Sequence, residues 1–254
     1  MILAVDIGNT HTVLGLFRGK DLIGNWKLQT DSRRTEDEMG SCLLSLFSAG
    51  GIDRDEIRGV VVSCVVPPIR HAFEAMVHRY LGTRPLVVGP GIKTGIPIHY
   101  ENPKEVGSDR IANAVATVHH HGVPAIVVDF GTATSFDAIS RDGAYLGGAI
   151  APGIWIAAEA LFLQTAKLPR IDLVRPARAI GKNTVSSLQA GTIFGYVGMV
   201  EELVARLQEE LAGSPIVVAT GSYARLIAGE TKVIDKIDLE LTLEGLRLIY
   251  EMNR

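Results

Sequence analysis

Apolar and polar positions follow one another in two similar series along the chain. In the first, residues 2–7, 12–18 and 22–29 read as strands, with Arg18-Gly19-Lys20-Asp21 as the turn between the second and third. Thr35-Glu36-Asp37-Glu38 has the spacing of a capping box. It predicts a helix from about 35 to 49 that stops at Gly50-Gly51. Gly59 to Val66 is an apolar run that fits a strand buried on both faces. Pro67-Pro68 opens a helix ending near Gly82, and Leu86-Val87-Val88 is a further strand. Gly and Pro then recur from Gly89 to Gly107, which predicts a loop of functional length. Ser108 or Asp109 caps a helix running to about His120.

The second series repeats the plan. Strands are expected at 124–130, 133–140 and 144–151, and a helix from Pro152 through Gln164. An irregular stretch with Pro169, Pro176 and Gly181 precedes a long helical region, 184–211. Gly191, Gly195 and Gly198 within it imply either close helix packing or a break. Pro215 to Ala219 is a strand, Ser222 to Ala228 a helix, and an amphipathic helix starts at about 240.

Each series opens with the same device. Ile2-Leu3-Ala4-Val5-Asp6-Ile7-Gly8-Asn9-Thr10 is matched by Ala125-Ile126-Val127-Val128-Asp129-Phe130-Gly131-Thr132-Ala133-Thr134-Ser135, with Asp129 lying 123 residues after Asp6. Each is an apolar run, then Asp, one apolar residue, Gly and small polar residues. A strand, a tight turn and a second strand would put Gly where backbone N–H groups approach an anion. Thr10, Thr12, Thr132 and Thr134 would add hydroxyl donors. An Asp at the end of a buried strand is costly unless a cation or donors face it. Two such loops facing each other would clamp a phosphate chain with its metal ion. A single Asp-x-Gly after a strand is an ordinary hairpin turn; the repetition argues for function.

Composition narrows the class. The 254 residues are 47% hydrophobic and 21% charged, the make-up of a globular chain of one large or two moderate domains. A net charge of −3 gives no support for nucleic-acid binding. His119, His120 and His121 are consecutive and cannot all face one ion on a regular element, so a solvated helix end before Gly122 and Pro124 is expected. Cys42 and Cys64 read as free thiols of a reducing compartment. No signal peptide or membrane span is evident, which places the chain by default in the cytoplasm.

With the two loops in place, the ordered motifs Asp6-Ile7-Gly8-Asn9-Thr10, Ser63-Cys64-Val65-Val66-Pro67, Gly107-Ser108-Asp109-Arg110, Asp129-Phe130-Gly131-Thr132-Ala133-Thr134 and Gly147-Gly148-Ala149-Ile150-Ala151-Pro152-Gly153 resemble those of type III pantothenate kinases. That family lies within the actin, Hsp70 and sugar kinase superfamily. The resemblance implies an α/β fold of duplicated ribonuclease H-like (actin-like ATPase) domains, with mixed five-stranded sheets flanked by helices. The boundary would separate residues 1–118 from 119–254. It further implies ATP-dependent phosphorylation of the terminal hydroxyl of pantothenate, the first step towards coenzyme A. A homodimer requiring Mg2+ with ATP and a monovalent cation, K+ or NH4+, is implied as well, with no nucleic-acid or membrane partner.

Site residues carry over on the matching motifs. The resemblance assigns ATP phosphates to Asp6, Ile7, Gly8, Asn9, Thr10, His11, Thr12 and Val13, and to Thr132 of the second loop, with Asp6 near magnesium, directly or through water. It makes Asp109 the catalytic proton acceptor and Tyr100, Gly107, Ser108, Asp109, Arg110 and Thr184 the pantothenate contacts, Thr184 reaching across the dimer. It makes Asp129 the potassium ligand. The residues alone leave rival roles open: a helix cap for Asp109 and for Thr184, a surface ion pair for Arg110, an aromatic plug for Tyr100, and a second magnesium-facing carboxylate for Asp129. Ser135 stands where the family pattern has a second Thr and keeps the hydroxyl; Ser222, in the adenine-facing Ala219-Thr220-Gly221-Ser222, adds bulk where relatives often have Gly. The competing classes are a regulatory accessory protein and another small-molecule kinase or a polyphosphate hydrolase of this fold. A chaperone would need a peptide-binding domain for which no residues remain.

Overall fold

The computed structural model describes residues 1–254. In chain order the elements are β1 (Ile2–Ile7), β2 (His11–Arg18), β3 (Asp21–Gln29), α1 (Glu36–Ala49), β4 (Gly59–Cys64), α2 (Pro67–Leu81), β5 (Leu86–Val87) and α3 (Ser108–His120). They continue with β6 (Ala125–Phe130), β7 (Ala133–Ile139), β8 (Tyr145–Pro152), α4 (Ile154–Leu163), α5 (Thr184–Glu210), β9 (Ile216–Thr220), α6 (Ala224–Ala228), β10 (Lys236–Ile237) and α7 (Leu241–Asn253). Single 3-10 turns at Arg54–Glu56 and Pro103–Glu105 are additions to the sequence reading, as is β10.

One unit comprises Met1–Gly95, Glu101–Ala116 and Leu241–Arg254. Its sheet has the order β3-β2-β1-β4-β5, with β1 antiparallel to β2 and parallel to β4. Leu3, Val5 and Ile7 alternate onto one face with Val60 and Val62 and pack against Leu43 and Phe47 of α1 and Phe73 and Val77 of α2. The predicted capping box fixes the start of α1. Thr35 Oγ1 accepts the Glu38 amide at 3.3 Å, and Glu38 Oε2 accepts the Thr35 amide at 2.8 Å.

The other unit comprises Ile96–Tyr100 and Thr117–Glu240. Its sheet, β10-β9-β6-β7-β8, has the same topology: β6 is antiparallel to β7 and parallel to β9. Ile126, Val128 and Phe130 of β6 and Phe136 of β7 form a core with Ile193, Val197, Val200 and Val204 of α5. The duplicated α/β architecture with mixed five-stranded sheets is therefore as expected. No helix is long and apolar enough to cross a membrane.

The division of the chain differs from a single cut after residue 118. It falls inside α3, between Ala116 and Thr117, and the terminal helix α7 belongs with the first unit. The reason is packing: a Cβ on Gly245 of α7 would lie 1.9 Å from the Ala112 carbonyl oxygen of α3, and Gly15 of β2 leaves room for Leu243. Arg247 of α7, 2% exposed, lies over the Phe17 ring with Glu244 and Glu251 as ion-pair partners. Two boundaries also move. β4 ends at Cys64, because Val66 already accepts the first turn of α2. β8 runs through Pro152, which pairs with Ala133, so α4 begins at Ile154 rather than at the proline. The long helix α5 is unbroken, and its Gly191, Gly195 and Gly198 have no atom of this chain within 4 Å of a would-be Cβ. Close packing on them within the chain is thus excluded.

Candidate functional site

The first loop turns at the carboxyl end of β1. Asp6 is half-buried and lies between Val13 of β2 and Ser63 of β4 in the ladders. The Gly8 amide donates to the His11 carbonyl at 3.0 Å and closes the turn. Thr30 braces the loop from β3's end: its amide donates to the Thr10 carbonyl at 3.0 Å, and its hydroxyl lies 2.9 Å from Thr12 Oγ1. His11 is held below its ordinary pKa, first by partial desolvation of its ring and then by the positive charge of Lys27. The loop is thus a turn held by its own backbone bonds beside a carboxylate whose oxygens suit a hard cation.

The start of α3 belongs to the same unit. Gly107 has no side chain, and a Cβ there would lie 2.4 Å from Asp109 Oδ1. The carboxylate folds back over that space and accepts the Arg110 amide at 2.9 Å. That contact joins neighbouring residues inside the first turn and is not the N2 or N3 bond of a helix cap. Ser108 does not spend its hydroxyl on the helix start. Its Oγ lies 2.9 Å from Ser63 Oγ, both side chains being buried. Ser63 is the ladder neighbour of Asp6. The structure therefore ties the strand end beside Asp6 to the residue before Asp109, bringing Asp6, Ser108, Asp109 and the half-buried Arg110 into one framework.

In the other unit, Tyr100 is 36% exposed and its ring rests against Tyr145, with ring centroids 6.2 Å apart. It is a partly open surface rather than a buried plug. The second Asp-x-Gly loop follows β6. Thr132 is half-buried, and Gly153 closes on it so tightly that a Cβ would lie 2.2 Å from the Thr132 carbonyl oxygen. Thr134 is buried and hydrogen-bonded to the Tyr196 hydroxyl, which also donates to the Pro152 carbonyl at 3.3 Å. Asp129 lies opposite Ser135 and Thr220, and its Oδ1 faces the backbone of Gly221. Gly221 has φ +89°, and a Cβ on it would approach that oxygen to 2.5 Å. Ser222, beside it, is exposed.

Thr184 does not cap α5. Asn183 does: its Oδ1 accepts the Ser186 amide at 2.8 Å, while Ser186 Oγ accepts the Asn183 amide at 3.3 Å. Thr184 is exposed in the first turn, free of the capping duty that competed with a substrate role. His119 and His120 end α3 and His121 follows it, without a common ligand geometry. His119 and His120 meet edge to face, and His121 Nε2 lies 2.9 Å from Asp238 Oδ2.

Sequence reasoning missed Ser63, Gly153 and Tyr196 as supports of the loops. The signal for two of them was present, since Ser63 and Gly153 lie inside motifs already quoted. Tyr196 sits mid-helix with no local signature.

Comparison with known proteins identifies relatives of the whole chain. A family model described as type III pantothenate kinase matches residues 2–206. The type III pantothenate kinase of Moorella thermoacetica is 55% identical over 253 residues, covering 100% of each chain. Among solved structures, a Campylobacter jejuni protein assigned to the Baf family of transcriptional activators superposes with a TM-score of 0.64 at 18% identity, covering 99% of this chain and 98% of its own. The polyphosphate/ATP-glucomannokinase of an Arthrobacter species gives 0.50 at 12% identity, covering 99% and 97%. At those identities the two structures bear on the fold alone, that of two α/β units with mixed five-stranded sheets. The full-length identity and the family model decide the rest: the chain belongs to the type III pantothenate kinase family.

Proposed function

We propose that this chain transfers the γ-phosphoryl group of ATP to the terminal hydroxyl of pantothenate, with Asp109 taking the alcohol proton. Phosphoryl transfer asks the protein mainly for positioning, charge stabilisation and a carboxylate for that proton. The observation that carries the reading is the Ser63–Ser108 tie, which fixes the Asp109 turn relative to the strand end of Asp6. The residues from Asp6 to Val13 and Thr132 are assigned to the ATP phosphates. Tyr100, Gly107, Ser108, Arg110 and Thr184 are assigned to pantothenate, Arg110 as a charged donor to an anionic oxygen.

Oxygen donors in both loops fit hard cations. Asp6 would hold Mg2+, directly or through water, and the ion would neutralise charge on the phosphates. Asp129, with the backbone space that a Cβ at Gly221 would fill, fits K+ or NH4+. A homodimer is supported by an uncovered apolar surface: Trp155, Ile156, Leu161 and Leu163 of α4 are exposed, and Leu163 and Ile150 are each 64% exposed. A second copy of this chain would cover them and would bring Thr184 to its neighbour's substrate. The chemistry and composition point to the cytoplasm as the place of work.

A coupled assay of ADP release, with and without pantothenate, tests the activity. Release that depends on pantothenate and yields its phosphate monoester is expected. ATP turnover indifferent to pantothenate would refute the reading.

A further inference from the structure

Asp137 is a carboxylate that none of the roles above uses. It is 0% exposed within β7, where a charged group is costly unless donors meet it. Two hydroxyls do so: Tyr145 Oη donates to Oδ1 at 2.9 Å and Ser135 Oγ to Oδ2 at 3.2 Å. The register explains the Tyr145 contact. Asp137 lies opposite Gly148, where a Cβ would lie 1.7 Å from the Phe136 carbonyl oxygen, so no side chain stands there. One residue further along, Ile139 pairs with Tyr145 and Ala138 with Gly147, which leaves Leu146 as an extra residue in β8. This bulge moves Tyr145 onto the face of Asp137. The phenol then reaches diagonally across the empty Gly148 position.

Tyr145 in turn holds the segment that carries Tyr100. Its amide donates to the Pro97 carbonyl at 2.9 Å, and its carbonyl accepts the His99 amide at 2.8 Å. Its fully buried ring is tilted 52° against the Tyr100 ring. Below Tyr100 lies Gly147, at φ +119°, where a Cβ would come within 3.1 Å of Tyr100 Cε2. Ile96–Tyr100 accordingly belongs to the second unit, although the residues flanking it in sequence belong to the first. If Tyr145 only filled space, a Phe there would serve, and the buried Asp137 would lose the Tyr145 hydroxyl as a donor.

From these contacts we infer that Asp137 and Tyr145 are positioning residues for pantothenate. The buried carboxylate–phenol pair fixes the Tyr100 ring, and through it the binding of pantothenate rather than the rate of phosphoryl transfer. The inference rests on the assignment of Tyr100 to pantothenate.

The test is steady-state kinetics on the full-length chain for Tyr145→Phe, Tyr100→Ala and the double variant. Tyr145→Phe keeps the ring and both backbone bonds and removes one hydrogen bond. Pantothenate KM should rise about fivefold, the scale of one such bond, while kcat and the KM for ATP change by less than about twofold. In the Tyr100→Ala background the same change should do nothing more, because residues acting through one another are not additive. If Tyr100→Ala raises pantothenate KM and Tyr145→Phe does not, the inference fails and the assignment of Tyr100 stands. An undiminished Tyr145→Phe effect in the Tyr100→Ala background, or an equal effect on ATP, also overturns it, since the pair then serves the fold alone. No effect of Tyr100→Ala on pantothenate KM overturns the inference and the Tyr100 assignment together. If Tyr145→Phe does not fold, Tyr145→Phe with Asp137→Asn removes phenol and charge together and is judged by the same outcomes.

Discussion

Ser63 Oγ and Ser108 Oγ lie 2.9 Å apart in a fully packed environment, one at the end of β4 and the other at the first residue of α3. Ser63 is 0% exposed and cannot touch a substrate, yet its neighbours in the ladder and across the hydrogen bond are Asp6 and the residue preceding Asp109. Ser63→Ala should therefore act on turnover. Loss of one buried hydrogen bond costs about 1 kcal/mol, which lowers Tm, and kcat should fall about five- to tenfold with KM for ATP nearly unchanged. Thermal melts and steady-state kinetics on the same preparation separate the two effects. A lowered Tm with wild-type kcat would reduce the tie to packing.

Asp109→Asn should preserve the fold. An amide oxygen can still accept the Arg110 N–H that Oδ1 now accepts, so the first turn of α3 keeps its bond. The proposed proton acceptor is gone, and removal of a general base costs on the order of 10²–10⁴ in rate. ATP binding, followed by titration calorimetry, should remain. Near-normal turnover at saturating substrates would assign the base elsewhere.

His11 reports on the first loop. In the free chain its pKa is lowered from 6.5 by partial desolvation and by Lys27, so the folded chain takes up this proton at lower pH than the unfolded chain does. Its contribution to stability is full above pH 6.5 and is lost as pH falls through the lowered folded value. Phosphates bound in the loop would favour the imidazolium and move the titration upward. NMR titration of the ring with and without ATP analogue measures this. A midpoint that ignores the nucleotide would place the phosphates away from His11.

Much of this was legible in the sequence because it depends on local spacing. The capping box at Thr35–Glu38, the turn after Asp6 and its counterpart after Asp129 are short-range patterns, and each forms where the pattern sets it. What the sequence hid depends on register or on distant partners. Chain order gave α7 to the second unit, but nothing local says that Gly245 must meet Ala112. The bulge at Leu146 that turns Tyr145 towards Asp137 is one residue of slip in a ladder, invisible until the strands are paired. Thr184 and Asn183 are both good capping residues by type; only the geometry gives the duty to Asn183.

Asp129→Ala tests the second loop. The carboxylate stands against the Gly221 backbone, where a Cβ would lie 2.5 Å from its Oδ1, and under the proposed function its oxygens hold a hard cation. Wild-type activity should fall when K+ is replaced by a bulky organic cation and return on titration with K+. The variant should have low activity and no such response. An unchanged K+ titration would favour a magnesium-facing role for Asp129.

Each active site should draw residues from two chains. Thr184 is exposed at the start of α5 and relieved of capping by Asn183. The helix it opens carries three glycines with no neighbour in this chain, and α4 shows an uncovered apolar face. If a second copy covers these surfaces and Thr184 serves the neighbour's pantothenate, two inactive variants should complement each other. Chains with Asp109→Asn and chains with Thr184→Trp are each expected to be inactive alone. In a hybrid dimer one site then combines both lesions, and the other combines an intact Asp109 with an intact Thr184. Random subunit exchange makes about half of the dimers hybrid, each with one working site, so activity should recover to about a quarter of wild type in a closed two-fold dimer. The measurement is ADP release after exchange, with hybrids verified by mass spectrometry of tagged chains. Verified hybrids without activity, formed from folded and dimeric variants, would mean that Thr184 serves its own chain.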